Sequence, residues 1–348
     1  MGCILVRHVI CCGCSFTRDF KRYNINGTDR DFDGDSERFF KWPHYLSQNL
    51  KKSKVYNLGN PTNDNAVIRK SVIYRVDKLL KEGVSPKDII VLTQWSSWQR
   101  NSFFISREHA RETNSLLHNF KGEPNEFAHI SDFIEEKIQV GQFGYYLLTG
   151  GYAADHVPYP IKNLIDVYGS KFMNKEDAQI NFFENIIFLQ SYLKSHDIKN
   201  LSFNLQNNFS KIYLKDDGFP LLLNDERNPY KSVYVDKFIP NTIDDDKKLE
   251  YPNPYIQHLY DMIDFDKFWF HKNKDTLFGG MMEWAVQNYD IGKDTEQNGL
   301  WQEWMGMKPK ELQRKMKRNM WCFGHLSPMM NEKFVKQELL NDKILLEN

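Results

Sequence analysis

The sequence predicts an α/β fold with a doubly wound, mostly parallel sheet, and three observations carry that expectation. Short β-branched runs alternate along the chain with longer stretches whose apolar residues recur at helical spacing. Strands separated by helices pair in parallel through right-handed crossovers, because a twisted strand and a right-handed helix close back onto the sheet only that way. The first two strands each stop at a glycine, Gly13 and Gly59, and the carboxyl ends of such strands are where these sheets take ligands.

The elements follow in order. Ile4 to Cys12 is short, β-branched and closed by Gly13, so it reads as a buried strand. Trp42, Tyr45, Leu46 and Leu50 fall on one side of a helix. Lys54 to Leu58 is a second strand, ended by Gly59-Asn60-Pro61. Asn65 to Glu82 is a helix through Val67, Ile68, Val72, Val76, Leu79 and Leu80, with Gly83 as its stop. Asp88 to Thr93 is a third strand, Glu176 to Ser195 the longest helix, and Leu201 to Leu205 a fourth strand. Residues 104–165 and 206–275 break this rhythm and read as long, aromatic-rich insertions.

Composition limits the function. The 348 residues carry 46 Lys+Arg against 46 Asp+Glu, a formal charge of zero, which argues against a bulk nucleic-acid binder that needs a basic face. At 41% hydrophobic the chain can bury a sizeable core. There are 25 Phe, 17 Tyr and 8 Trp but only seven Ala, a usage that suggests an AT-rich genome and wide aromatic pockets or interfaces. No apolar run is long enough to span a membrane, and Arg7 and His8 interrupt the apolar N-terminus, so no signal peptide is expected. Four of the five cysteines crowd into residues 3–14 without paired metal-ligand spacing, and they read as strand thiols in a reducing compartment. Cys11 and Cys12 are adjacent on a strand and so face opposite sides, which argues against a redox pair.

Two segments at opposite ends of the chain carry candidate chemistry. The first strand runs into Gly13-Cys14-Ser15-Phe16-Thr17, which presents Ser15 at the sheet's carboxyl edge, either as a nucleophile or as a helix cap. Near the other end lies His325-Leu326-Ser327-Pro328, followed by a helical pattern from Asn331. A serine hydroxyl is a weak nucleophile until a base within hydrogen-bond reach takes its proton, and histidine is the usual base.

Several motifs together resemble those of SGNH (GDSL-type) hydrolases. Gly13-Cys14-Ser15-Phe16-Thr17 is similar to that family's first block, and Trp42-Pro43, Tyr45-Leu46 and Val55-Tyr56-Asn57-Leu58-Gly59 to the approach to its second. Asn63 or Asn65 falls near the Asn often found after the second-block Gly. Gln94-Trp95-Ser96 with Arg100 resembles the third block of virus- and phage-type members, and Leu189 to Lys194 also resembles those members. His325-Leu326-Ser327-Pro328 is similar to the closing segment, with Asn331 where a second His often stands. The blocks come in order and span nearly the whole chain.

The resemblance implies a flavodoxin-like three-layer fold in one domain, residues 1–348, with Ser15 as nucleophile and His325 as base. It assigns oxyanion stabilisation or substrate positioning to Gly59, Asn63, Asn65, Gln94 and Ser96. The implied activity is hydrolysis of an ester, such as an O-acyl group on a saccharide or lipid, with neither metal nor organic cofactor. Three positions depart from the family pattern. Cys14 replaces the first-block Asp, Cys322 stands at the usual position of the triad acid, and the third-block Asn is absent. Asp290, Asp294 or Glu303 are alternatives for the acid. These departures open the rival reading of a catalytically degenerate domain serving as a virion component or glycan-binding module. Either way, the expected setting is the cytoplasm of a host cell or a virion, with oligomer or particle assembly as a further partner class.

Three weaker signals complete the reading. Asp29 to Asp35 begins like a calcium loop, but Phe40 occupies the position of the closing bidentate Glu, so it reads as an acidic solvated loop. Six basic residues between Lys308 and Arg318 read as the solvated face of an amphipathic helix. Phe278 to Trp284, with Trp301, Trp304 and Trp321, supplies either platforms for sugar rings or core anchors.

Overall fold

The computed structural model describes residues 6–14, 16–17, 20–21, 38–59, 63–96, 101–106, 130–131, 144–149, 175–205, 208–209, 251–273, 276–288, 321–322 and 325–342. A five-stranded parallel sheet organises them. It is formed by β1 (Arg7–Cys12), β4 (Ser53–Asn57), β5 (Ile89–Trp95), β9 (Lys199–Asn204) and the short β10 (Phe268–Trp269), in the order β4-β1-β5-β9-β10. Counting only these strands in chain order gives 2-1-3-4-5, one of the two common doubly wound orders.

The expected α/β architecture is therefore present. The strands pair in the register Val9 with Val55, Cys11 with Leu92, and Thr93 with Ser202. Between β1 and β4 come the two-residue strands β2 (Phe20–Lys21) and β3 (Arg38–Phe39), which pair antiparallel, and α1 (Trp42–Asn49). Helix α2 (Asn65–Lys81) connects β4 to β5, and Gly83 ends it with φ of 84°, a left-handed turn open to glycine at no steric cost.

Side-chain alternation along the strands divides the interior into two cores. Val9, Cys11, Ile90, Leu92, Leu201 and Phe203 face one side, against α1 and the C-terminal helix α6 (Pro328–Gln337). Ile10, Cys12, Ile89, Val91 and Trp95 face the other, against α2, α3 (Lys175–Ser195) and α4 (Pro254–Asp261). Cys11 and Cys12 thus lie in different cores, as their adjacency on a strand requires. Burying both faces explains why β5 opens with four consecutive apolar residues, Ile89 to Leu92, rather than an alternating pattern.

The segments read as insertions contain framework as well. From residue 101, β6 (Asn101–Ser106), β7 (Ile130–Ser131) and β8 (Gly144–Thr149) form a separate antiparallel sheet in the order β6-β8-β7. Within 206–275, helix α4 packs against α3, and β10 is the edge strand of the main sheet. Asn253 caps α4 by accepting from the Tyr255 and Ile256 N–H groups, and Pro254 follows at the first turn, where its missing N–H costs nothing. Phe209 sits among Phe182, Phe183, Tyr260, Phe265 and Phe268, with ring centroids 5.5–6.3 Å apart. Part of the aromatic excess is therefore core.

After β10 come the hairpin strands β11 (His271–Asn273) and β12 (Thr276–Gly279), then α5 (Met281–Asn288). Met281, Met282 and Trp284 are buried, so this part of the aromatic run anchors the core and offers no platform to a sugar ring. The Trp284 and Trp269 indole N–H groups both donate to the Glu338 carboxylate, at 2.7 and 3.2 Å, which fixes α5 and β10 to the C-terminus. Strands β13 (Trp321–Cys322) and β14 (His325–Leu326) form a small antiparallel ladder just before α6. Trp301, Trp304, Lys308 to Arg318 and the Asp29 to Asp35 loop lie outside the described residues.

Candidate functional site

In a sheet of this order the connections leave β1 and β5 in opposite directions, and the carboxyl ends of those two strands are where such sheets take ligands. The described residues that meet there are Gly13, Cys14, Phe16 and Thr17 after β1, Asn57 to Gly59 and Asn63 to Asn65 after β4, and Gln94 to Ser96 at the end of β5. Five of the expected site residues, Gly59, Asn63, Asn65, Gln94 and Ser96, belong to these segments. Ser15 itself lies outside the described residues.

The residues around Ser15 are held tightly. Thr17 N–H donates to the Cys14 carbonyl at 2.9 Å. The Thr17 hydroxyl donates to Gln94 Oε1 at 2.7 Å and accepts from the Trp42 indole N–H at 3.2 Å, so β1, β5 and α1 meet on one buried oxygen. The Cys14 thiol reaches the same Gln94 Oε1 at 3.8 Å, while Gln94 Nε2 meets Met281 Sδ at 3.6 Å. Gln94 is fully buried with its amide engaged, and it therefore ties Cys14 and Thr17 to the end of β5. Gly13 is required sterically, because a Cβ there would lie 2.1 Å from Thr17 Oγ1 and 2.9 Å from Gln94 Oε1.

The second wall is built from asparagines. Asn57 Nδ2 donates to the Thr17 carbonyl at 3.0 Å, and Asn57 Oδ1 accepts from Gly59 N–H at 2.9 Å. The Gly59 N–H, an expected oxyanion donor, is thus already engaged and reaches a substrate oxygen only if Asn57 yields it. Asn63 Nδ2 donates to the Gly13 carbonyl at 3.1 Å. Asn65 closes a pair with Ser96, accepting from its N–H at 2.8 Å and donating to its carbonyl at 3.3 Å. Asn208 Nδ2 adds a second bond to the Ser96 carbonyl at 3.0 Å.

This wall holds an unusual concentration of orphaned polar atoms. Asn63 Oδ1, Ser96 Oγ, Trp95 Nε1, Asn208 Oδ1 and both amide atoms of Asn204 are buried without a hydrogen-bond partner. Each such atom costs roughly 1–3 kcal/mol when nothing meets it, so a group here is worth explaining. Asn204 ends β9 directly opposite Trp95 of β5. Neither Asn204 nor Asn208 was among the residues expected from sequence. The signal for Asn204 was present: Leu201, Phe203 and Leu205 mark one core face and leave a polar amide on the other buried face.

The segment carrying His325 approaches through its neighbours. Leu326 and Ser327 are fully buried, and the Leu326 carbonyl accepts from Lys41 Nζ at 3.2 Å and from Asn331 Nδ2 at 2.9 Å. Asn331 Oδ1 in turn accepts from Trp42 N–H at 3.1 Å. Trp42 therefore binds Asn331 through its backbone and Thr17 through its indole, so one residue couples the Ser15 segment to the His325 segment. Ser327 caps α6, its hydroxyl accepting from Met330 N–H at 3.3 Å. The backbone of His325 stands opposite Cys322 in the β13–β14 ladder, while Asp290, Asp294 and Glu303 lie outside the described residues.

The nearby Cys12 thiol is not a nucleophile in this setting. Burial pushes the Cys12 thiol well up from its ordinary value, which holds it in the protonated form, and it donates to the Ile68 and Leu58 carbonyls at 3.6 and 3.7 Å. Among the described residues, no three of His, Cys, Asp and Glu converge in a way that could hold a metal ion, and no helix is long and apolar enough to cross a membrane. No family model matches the chain, and neither a curated protein nor a solved structure matches it.

Proposed function

We propose that the chain is a serine ester hydrolase of SGNH type, acting at the carboxyl ends of β1 and β5 with Ser15 as nucleophile and His325 as base. The observation that carries this reading is the coupling of the two chain ends: Trp42 bonds to Thr17, two residues beyond Ser15, and to Asn331, while Lys41 bonds to Leu326, adjacent to His325. The five-stranded order supports it as well, since ligands of such sheets sit where these segments meet.

In the reaction, Ser15 Oγ attacks the acyl carbon and its proton passes to the His325 ring. The tetrahedral oxyanion collapses, the bond to the leaving oxygen breaks, and His325 returns the proton to the departing alcohol. Water then attacks the acyl-serine, giving one proton to His325. As the acyl–Oγ bond breaks, His325 reprotonates Ser15 and the carboxylic acid leaves. Ser96 Oγ, buried and without a partner, is a free donor for the oxyanion. Purified protein should hydrolyse 4-nitrophenyl acetate, and the rate should vanish in Ser15→Ala and in His325→Ala; equal rates in either variant exclude the reading.

A degenerate, non-catalytic domain is the second reading, and the engaged Gly59 N–H favours it, since Asn57 Oδ1 occupies a donor that an esterase needs for its oxyanion. On that reading Ser15→Ala leaves ligand binding or particle assembly intact.

A further inference from the structure

We propose that the outer edge of β6 is a homodimer interface, at which two copies of the chain pair antiparallel about a two-fold axis at Phe104. The proposal stands apart from the hydrolase reading, because β6 belongs to the antiparallel sheet and not to the parallel one.

Strand β6 leaves an edge open. Among the described residues, β8 lies between β6 and β7, and no strand pairs with the far side of β6. An unpaired edge presents backbone N–H and C=O groups to any other strand, so natural sheets blunt their edges with charge, proline or brevity. The neighbouring edges follow that rule. Edge strand β4 of the parallel sheet carries the exposed Lys54, and the opposite edge, β10, is two residues long and preceded by Asp266 and Lys267. Strand β7 is also two residues long. Strand β6 is the exception: its six residues, Asn-Ser-Phe-Phe-Ile-Ser, include no charge, proline or glycine.

The sequence of β6 selects the partner. A two-fold axis through an antiparallel pair matches residues whose numbers add to a constant, and matched residues share a face of the sheet. About Phe104 the strand is a palindrome in chemical class. Ser102 falls opposite the partner's Ser106, Phe103 opposite the partner's Ile105, and Phe104 opposite its own copy. The strands behind extend these rows, since Phe103 is in register with Leu147, Leu147 with Ile130, and Ile105 with Tyr145. Pairing therefore joins Ile130, Leu147 and Phe103 to the partner's Ile105 and the partner's Tyr145 in one apolar row. Cross-strand apolar and hydroxyl pairs of this kind stabilise sheets. The sequence continues the match past the strand, where the same sum sets Arg100 against Glu108, residues of opposite charge. An unrelated strand has no reason to share this symmetry, so the occupant is a second copy.

Sedimentation velocity of the full chain across micromolar concentrations should show a monomer–dimer equilibrium. Phe104→Lys, which sets two ammonium groups against each other on the axis, should stay monomeric with an unchanged far-UV circular dichroism spectrum. Directly opposed Cα atoms of an antiparallel pair lie about 4.5 or 5.5 Å apart, and a disulfide spans either distance. Phe104→Cys should therefore form a covalent dimer under mild oxidation. Phe103→Cys, which faces Ile105 rather than itself, should not exceed wild type, whose five cysteines set the baseline. A wild type that stays monomeric, or a dimer that Phe104→Lys leaves intact, overturns the proposal. Should Phe104→Lys fail to fold, the crosslinks decide: a covalent dimer from Phe104→Cys and not from Phe103→Cys upholds it, and any other pattern overturns it.

Discussion

Gly13→Ala is the sharpest test of the geometry that supports Ser15. The added Cβ would lie 2.1 Å from Thr17 Oγ1, 2.9 Å from Gln94 Oε1 and 3.0 Å from Gln94 Cβ. None of these can be relieved cheaply, because Thr17 and Gln94 are both fully or almost fully buried and are bonded to each other at 2.7 Å. Overpacking a tight interior costs about 1–3 kcal/mol. Breaking the Thr17–Gln94 bond adds about 1 kcal/mol. The expected loss is thus about 2–4 kcal/mol, read as a shift in the midpoint of urea unfolding. The closest clash is with Thr17 Oγ1 alone, so Thr17→Ala should relieve part of it. In a double-mutant cycle, Gly13→Ala with Thr17→Ala should be less destabilised than the sum of the single changes, by about 1 kcal/mol or more. A Gly13→Ala protein within about 0.5 kcal/mol of wild type, a size ordinary for surface changes, would refute the packing described around Ser15.

Further outcomes follow from the same structure. Asn331→Leu removes the bonds to Leu326, Ser327 and Trp42 and leaves the Trp42 N–H buried, so unfolding free energy should fall by about 2–4 kcal/mol in urea titration. Asp64→Ala removes the side chain that accepts from Val67 N–H at the start of α2, at a cost of about 1 kcal/mol by the same measurement. His8 is held below its ordinary value by burial, with Lys54 adding to the effect, so the unfolded chain binds its proton more readily than the folded one. Stability from this group is complete above the ordinary histidine value near 6.5 and is lost as pH falls through the lowered folded value. Wild type should therefore lose more Tm between neutral and mildly acidic pH than His8→Gln; parallel profiles would remove His8 from the account.

The two central strands, β1 and β5, were legible because they are buried on both faces and so contain continuous apolar runs. Val9 to Cys12 and Ile89 to Leu92 needed no tertiary information to be read as strands. The edge was harder. Strand β10 is only Phe268–Trp269, set among Asp264, Asp266 and Lys267, and its place beside β9 comes from packing rather than from local pattern. Helix α4 did announce itself through Asn253-Pro254 and the spacing of Ile256, Leu259 and Tyr260, but the polar composition around it masked that signal. At the site, Gly13, Gly59, Asn63 and Asn65 were visible, while their partners were not. Nothing local says that Gln94 braces Thr17, that Asn57 engages Gly59 N–H, or that Trp42 bridges residues 17 and 331, because each is a contact across a long stretch of chain. The run from Phe278 to Trp284, open between sugar platform and core anchor on sequence alone, is core at Met281, Met282 and Trp284.

The central claim is that Ser15 is a nucleophile activated by His325. Labelling with a fluorophosphonate probe, followed by mapping of the adduct by peptide mass spectrometry, tests it most directly. The account predicts a single adduct on Ser15, formed in wild type and lost in His325→Ala while that variant keeps its fold by circular dichroism. No adduct on Ser15, or equal labelling without His325, would contradict it.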